Sequence, residues 1–215
     1  VERTLYIIGG SVNALKSAIE NGASGNLAGG THHAYYDFGS GYCIFNDLAI
    51  SANYCLRNYL DFKNILIIDL DVHQGDGTAA LLKDEDSVYT FSMHCDSNFP
   101  LKKQRSDLDI ALERGLGDHA YLRKLASTLE KLETKKTDIV FFQSGVDILT
   151  FDTLGHLNLS HEGIKKRNEL VFNFCRTQNI PIVVFMGGGY SKPITHTVNA
   201  ISELFYQCRD FAEKF

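Results

Sequence analysis

The chain has 215 residues, 44% of them hydrophobic, with 21 Lys+Arg against 26 Asp+Glu and a formal net charge of −5. That length suits a single domain, residues 1–215, around one large core. The balance excludes a disordered or fibrous chain and argues against a basic nucleic-acid-binding face.

From Val1 to Glu20 apolar residues recur every three or four positions, which predicts a helix despite Gly9-Gly10. A turn at Asn21-Gly22 leads to a short strand around Asn26 to Ala28, followed by the loop Gly29-Gly30-Thr31-His32-His33. Asn46 or Asp47 can cap a helix running to about Leu60. A strand at Ile65–Leu70, a helix from about Gly77 to Leu82 and a strand at Val88–Met93 come next. The polar stretch Asn98–Glu113 lacks periodicity and is expected to be a long surface loop with some helix. Helix returns at His119–Leu132, then a strand at Ile139–Phe142, and Ser160 can cap a helix to about Gln178. Ile182–Phe185 read as a strand, closed by Gly187-Gly188-Gly189-Tyr190, and a last helix covers roughly Pro193–Phe211. Strands alternating with helices imply a parallel sheet with helices on both faces.

The most informative segment is Asp69-Leu70-Asp71-Val72-His73, directly after the apolar run Ile65-Leu66-Ile67-Ile68. Alternate residues of a strand point to one side, so three polar side chains emerge together where a buried strand ends. That is where open α/β sheets place their ligand crevice. Carboxylates and an imidazole suit a divalent metal such as zinc. His32-His33, Asp147 and Tyr190 also follow apolar strands, and in a parallel sheet all these ends lie on one edge. Asp71, His73 and Asp147 could then surround a metal and leave a position open for water. A neutral imidazole from His32 or His33 could move the water's proton, and Tyr190 could donate to the oxyanion. Each residue alone has a blander reading: a cap, a hydrogen-bonded core histidine, or a turn aspartate.

Five cysteines, scattered and without a Cys-x-x-Cys pair, argue against a disulfide framework and a thiolate zinc site. They point to a reducing compartment, the cytoplasm, with the nucleus open to a eukaryotic protein. No apolar run approaches a membrane span and no signal peptide opens the chain, so no membrane partner is expected. The chain begins at Val1 without Met, so it is expected to be a processed or partial product.

Six stretches together resemble the histone deacetylase superfamily, which includes acetoin-utilisation proteins and acetylpolyamine amidohydrolases. They are Gly29–Ala34, Gly41–Asp47, Ile68–Gly77, Phe91–His94, Ser144–Asp147 and Gly187–Tyr190, in family order across nearly the whole chain. Gln74 and the segment from Asp147 to Gly155 are most similar to class IV and bacterial members. The resemblance implies an arginase-like three-layer α/β fold and zinc-dependent hydrolysis of an acyl-lysine or similar acylated amine. It implies one zinc per chain held by Asp71, His73 and Asp147. His33 would be general base and acid, oriented by Asp76, while His32 pairs with Asp69. Tyr190 would polarise the acyl carbonyl, and Gly41, Tyr42 and Phe99 would line the substrate channel. A structural potassium would take Asp69, the carbonyls of Asp71, His73 and Met93, and the Ser92 hydroxyl. Relatives carry a further segment before the first helix, absent here, that contributes to the pocket rim. Partners would be an acylated protein or small amine. The alternatives are an arginase-type dimetal ureohydrolase and a non-catalytic acyl-lysine-binding protein.

Overall fold

The computed structural model describes residues 2–215. Helix α1 spans Glu2–Asn21 and strand β1 Ala23–Asn26; α2 is Asp47–Asn58, β2 Ile65–Asp69, α3 Asp76–Leu82 and β3 Val88–Cys95. Strand β4 is Leu108–Leu112, α4 Asp118–Leu132, β5 Ile139–Gln143, α5 His161–Gln178, β6 Ile182–Phe185 and α6 Thr195–Ala212. The strands form one sheet in the order β1-β6-β5-β2-β3-β4, every pair parallel.

The central strands are apolar on both faces, and the pleat divides their side chains between two cores. Leu66 and Ile68 face one cluster with Phe142, Val171 and Leu204, under α4, α5 and α6. Ile65 and Ile67 face a second with Leu15, Leu48, Ala52 and Phe141, under α1 and α2. Helices thus cover both faces, which explains the unbroken Ile-Leu-Ile-Ile run. Burying each such side chain stabilises the fold by roughly 1.5–3 kcal/mol.

Asn46 rather than Asp47 caps α2, its side chain accepting from Ala49 N. Asp47 turns back instead to the Gly30-Thr31 loop. Ser160 caps α5 as expected, accepting from Gly163 N, and Asn179 ends that helix in the left-handed region. Two expectations are corrected. The first strand lies at Ala23–Asn26, not Asn26–Ala28, because its register is set by pairing with β6. Residues Leu108–Leu112, expected in a loop with some helix, form the edge strand β4 beside β3. Among the described residues no helix is long and apolar enough to cross a membrane.

Candidate active site

Because every strand is parallel, the loops after β1, β2, β5 and β6 leave the same edge of the sheet, and the last three of these strands are neighbours. A cavity of about 550 Å³ opens there, its lining including His32, His33, Tyr42, Asp71, His73, Phe99, Asp147 and Tyr190.

Asp71, His73 and Asp147 each offer a ligand atom within 4.8 Å of the others, and among the described residues they are the one such cluster of three or more. His73 Nδ1 lies 3.1 Å from both Asp71 Oδ1 and Asp147 Oδ2. Backbone amides hold the carboxylates: Val72 N donates to Asp147 Oδ1 at 2.9 Å, and Gly188 N to Asp71 Oδ2 at 2.9 Å. Both acids are essentially fully buried. Burial and the Asp71 charge push Asp147 up to about 7. Burial also opposes ionisation of Asp71, but His32 and His73 outweigh it and hold that carboxyl well below its usual range. Burial pulls His73 down, yet its bonds to Asp147 and Asp71 lift it to about 11. Two buried carboxylates drawing so strongly on one imidazole form a donor set suited to a cation, and carboxylate with imidazole matches zinc.

The adjacent histidines behave differently. His32 Nδ1 lies 2.7 Å from Asp69 Oδ2, and His33 Nδ1 lies 2.6 Å from Asp76 Oδ1. Burial lowers His32, but Asp69 and Asp71 overcome it and raise the ring to about 9. Burial and the neighbouring His32 instead lower His33 to about 4, against the pull of Asp76. At neutral pH one ring is an imidazolium and the other a neutral base, the kind of divergence that separates acid and base roles. Tyr35 donates to the second oxygen of Asp76 at 3.0 Å, fixing that carboxylate.

Tyr190 stands across the cavity, its ring centroid 6.3 Å from that of Tyr42. Burial, with Asp71 and Asp147 nearby, raises its hydroxyl above the usual range, so it stays a proton donor. Tyr42 holds a left-handed backbone at φ 66° with a ring 87% exposed. Phe99 meets His33 edge-on at 5.0 Å. Gly41 has no room for a side chain, because a Cβ there would strike the His33 ring. Asp69 and Ser92 are direct register partners on β2 and β3, and Ser92 Oγ lies 2.9 Å from His94 Nδ1. Met93 follows in the same buried strand.

Several supporting residues escaped sequence reasoning. Asp47 is fully buried, accepting from Ser11 Oγ, Gly30 N, Thr31 N and Thr31 Oγ1, and so anchors the loop that carries both histidines. Asp152 accepts from Tyr190 N at 2.6 Å and from Leu154 N and Gly155 N. Asn98 ties the Phe99 loop to Leu154 O and His156 N. Arg167, on α5, is buried behind Ser144 and Gly145. Asp47 and Asp152 lie within the family-like stretches and Asn98 opens the polar stretch before β4, but nothing local pairs them with the loops they hold, and Arg167 carries no local signal at all.

Residues 1–204 match the histone deacetylase domain. The chain is 47% identical to an uncharacterized protein of Picosynechococcus, over 98% of this chain and 70% of that one. It is 36% identical to histone deacetylase 2 of Arabidopsis thaliana over 86% of this chain, and 33% identical to the acetoin utilization protein AcuC of Staphylococcus aureus over 86%. It spans 49% and 51% of those two relatives' lengths. A histone deacetylase homolog from Aquifex aeolicus superposes with a TM-score of 0.83 at 26% identity, covering 99% of this chain and 58% of that one. A homolog complexed with SAHA superposes at 0.80, again at 26% identity, covering 96% of this chain and 56% of that one. With the parallel three-layer fold and the cluster at its strand ends, the domain match leads to one conclusion: the chain belongs to the histone deacetylase family.

Proposed function

We propose that this chain is the catalytic domain of a zinc-dependent deacylase that hydrolyses an acyl-lysine, or a similar acylated amine, to carboxylate and free amine. The observation that carries this reading is the convergence of Asp71, His73 and Asp147 with a neutral His33 and a protonated Tyr190 around one cavity. Zinc held by Asp71, His73 and Asp147 would lower the pKa of water and polarise the acyl carbonyl.

The chain's own groups do the rest. Asp76 accepts from His33 Nδ1–H, which leaves Nε2 with a free lone pair. His33 Nε2 takes the proton of the attacking water, and the carbonyl oxygen gains charge as the new C–O bond forms. Tyr190 donates a hydrogen bond to that oxygen. His33 Nε2–H then protonates the departing amine as the C–N bond breaks. The charge on His32, balanced by Asp69, keeps its neighbour neutral between cycles. Gly41, Tyr42 and Phe99 line the cavity, and its aromatic sides would suit a four-carbon stem. Asp69 and Ser92, with carbonyls of Asp71, His73 and Met93, are proposed to hold a structural monovalent cation. Five buried free cysteines suit a reducing compartment such as the cytoplasm.

A single cluster of metal-ligand character among the described residues favours one ion over the dimetal ureohydrolase alternative. That a structural relative is complexed with SAHA supports a fold able to take a small-molecule ligand. Metal analysis together with an acetyl-lysine peptide assay tests the reading. About one zinc per chain is expected, and His33→Ala and Tyr190→Phe should each lower kcat by about 100-fold or more. Turnover unchanged in either variant would refute the assigned roles.

A further inference from the structure

Among the described residues Arg167 is the largest fully buried side chain. Its Nη1 donates to Gly145 O at 2.6 Å, and its Nη2 to Ser144 O at 3.1 Å. Nη2 and Nε both donate to Asn168 Oδ1, at 2.7 and 2.9 Å. The guanidinium lies 5.4 Å from the centre of the Phe142 ring. All of these acceptors are neutral oxygens. A buried cation without a hydrogen-bonded carboxylate is an expensive way to fill space, and an apolar side chain of similar volume usually serves stability as well or better. What the guanidinium holds is therefore the informative point.

It holds the segment between β5 and Asp147. From the other side that segment is stitched to the end of β6, with Ser144 N donating to Phe185 O at 3.0 Å and Val146 N to Gly188 O at 2.7 Å. Gly145 packs directly on the Asp71 carboxylate, with no space for a Cβ, and Gly188 packs in the same way on Asp147. The separation of the two acids is thus set by how the Ser144–Asp147 backbone sits. The guanidinium fork grips two successive carbonyls of this backbone, which a single hydrogen bond could not keep from rotating.

We infer that Arg167 is a positioning residue: its fork fixes the Ser144–Asp147 backbone against Asp71 and so sets the affinity of the acidic cluster for its divalent ion. The role rests on the metal reading above and involves no contact with substrate. It separates two quantities that a packing role would move together. Loss of the fork should weaken metal binding by about 10–100-fold, as for other residues that orient a metal's ligands. Stability with the metal chelated should fall only as far as the unpaired Ser144, Gly145 and Asn168 oxygens dictate, no further than for a core truncation on the same helix.

The test is zinc affinity by chelator competition, alongside the denaturant midpoint in excess chelator, for the parent chain, Arg167→Met and Arg167→Lys. Arg167→Met should bind zinc about 10–100-fold more weakly at a midpoint no lower than that of Val171→Ala, with Arg167→Lys in between. Asn168→Ala frees the guanidinium without deleting it and should show a smaller loss, which serves if the Met variant does not fold. Val171→Ala, a core truncation on the same helix, should lower the midpoint and leave affinity alone. Equal affinity in the parent and Arg167→Met overturns the inference, as does an affinity loss that merely follows the midpoint. A parent chain that binds no zinc overturns the metal reading itself.

Discussion

Gly145→Ala is the sharpest perturbation of the acidic cluster, because it adds one methyl group and no charge. Gly145 lacks the positive φ that would strain an alanine, so the effect is steric. The new Cβ would sit 2.6 Å from Asp71 Cγ and 2.9 Å from Asp71 Cβ, closer still to its Oδ2, where ordinary contact begins at 3.4 Å. Asp71 or the β5 end must therefore give by most of an ångström. Asp71 has little freedom, since Gly188 N and His73 N both donate to it. A misplacement near 1 Å costs roughly 100-fold in catalysis, and overpacking a filled site costs about 1–3 kcal/mol of stability. The assay pairs chelator competition for zinc with a denaturant melt, using Gly9→Ala as control. Gly9 lies on α1 with nothing within 4 Å of its added Cβ, so alanine there should stabilise the helix slightly. Unaltered zinc affinity and turnover in Gly145→Ala would refute the claim that Gly145 packing locates Asp71.

Two further outcomes follow from the site. The His33 ring, lowered to about 4, should show no titration between pH 5.5 and 8 by NMR. The unfolded imidazole binds a proton near 6.5 and the folded one only near 4, so stability falls as pH drops through that window and is level above it. A midpoint near 6.5 would remove His33 as the neutral base. Asp152→Ala frees the Tyr190 amide from its 2.6 Å bond and should lower kcat more than KM, by about 10-fold or more. Wild-type kcat in that variant would show that the carboxylate does not place Tyr190.

The central strands are legible because their apolar runs are local signals: the expected strands Ile65–Leu70 and Ile182–Phe185 lie within a residue of the observed ones. Strand β1 was misplaced because Ser24, Gly25 and Asn26 have weak strand preference, and their pairing with β6 supplies what the residues do not. Strand β4 was missed because an edge strand facing solvent carries charge, as Asp109 does, and its short alternation was lost among polar neighbours.

Sequence alone determined the alternation of strands and helices, the Asp-x-Asp-x-His strand end and the residue types able to hold a cation, because each is written within a few neighbouring positions. Tertiary structure decided that the two adjacent histidines diverge: Asp69 and Asp71 raise His32 to about 9, while burial and the neighbouring His32 hold His33 at about 4 against the pull of Asp76. It also decided that Arg167 lies behind Gly145, 22 residues earlier in the chain. Charge and position at this site depend on burial and on partners brought together only by sheet order, and no local pattern encodes either.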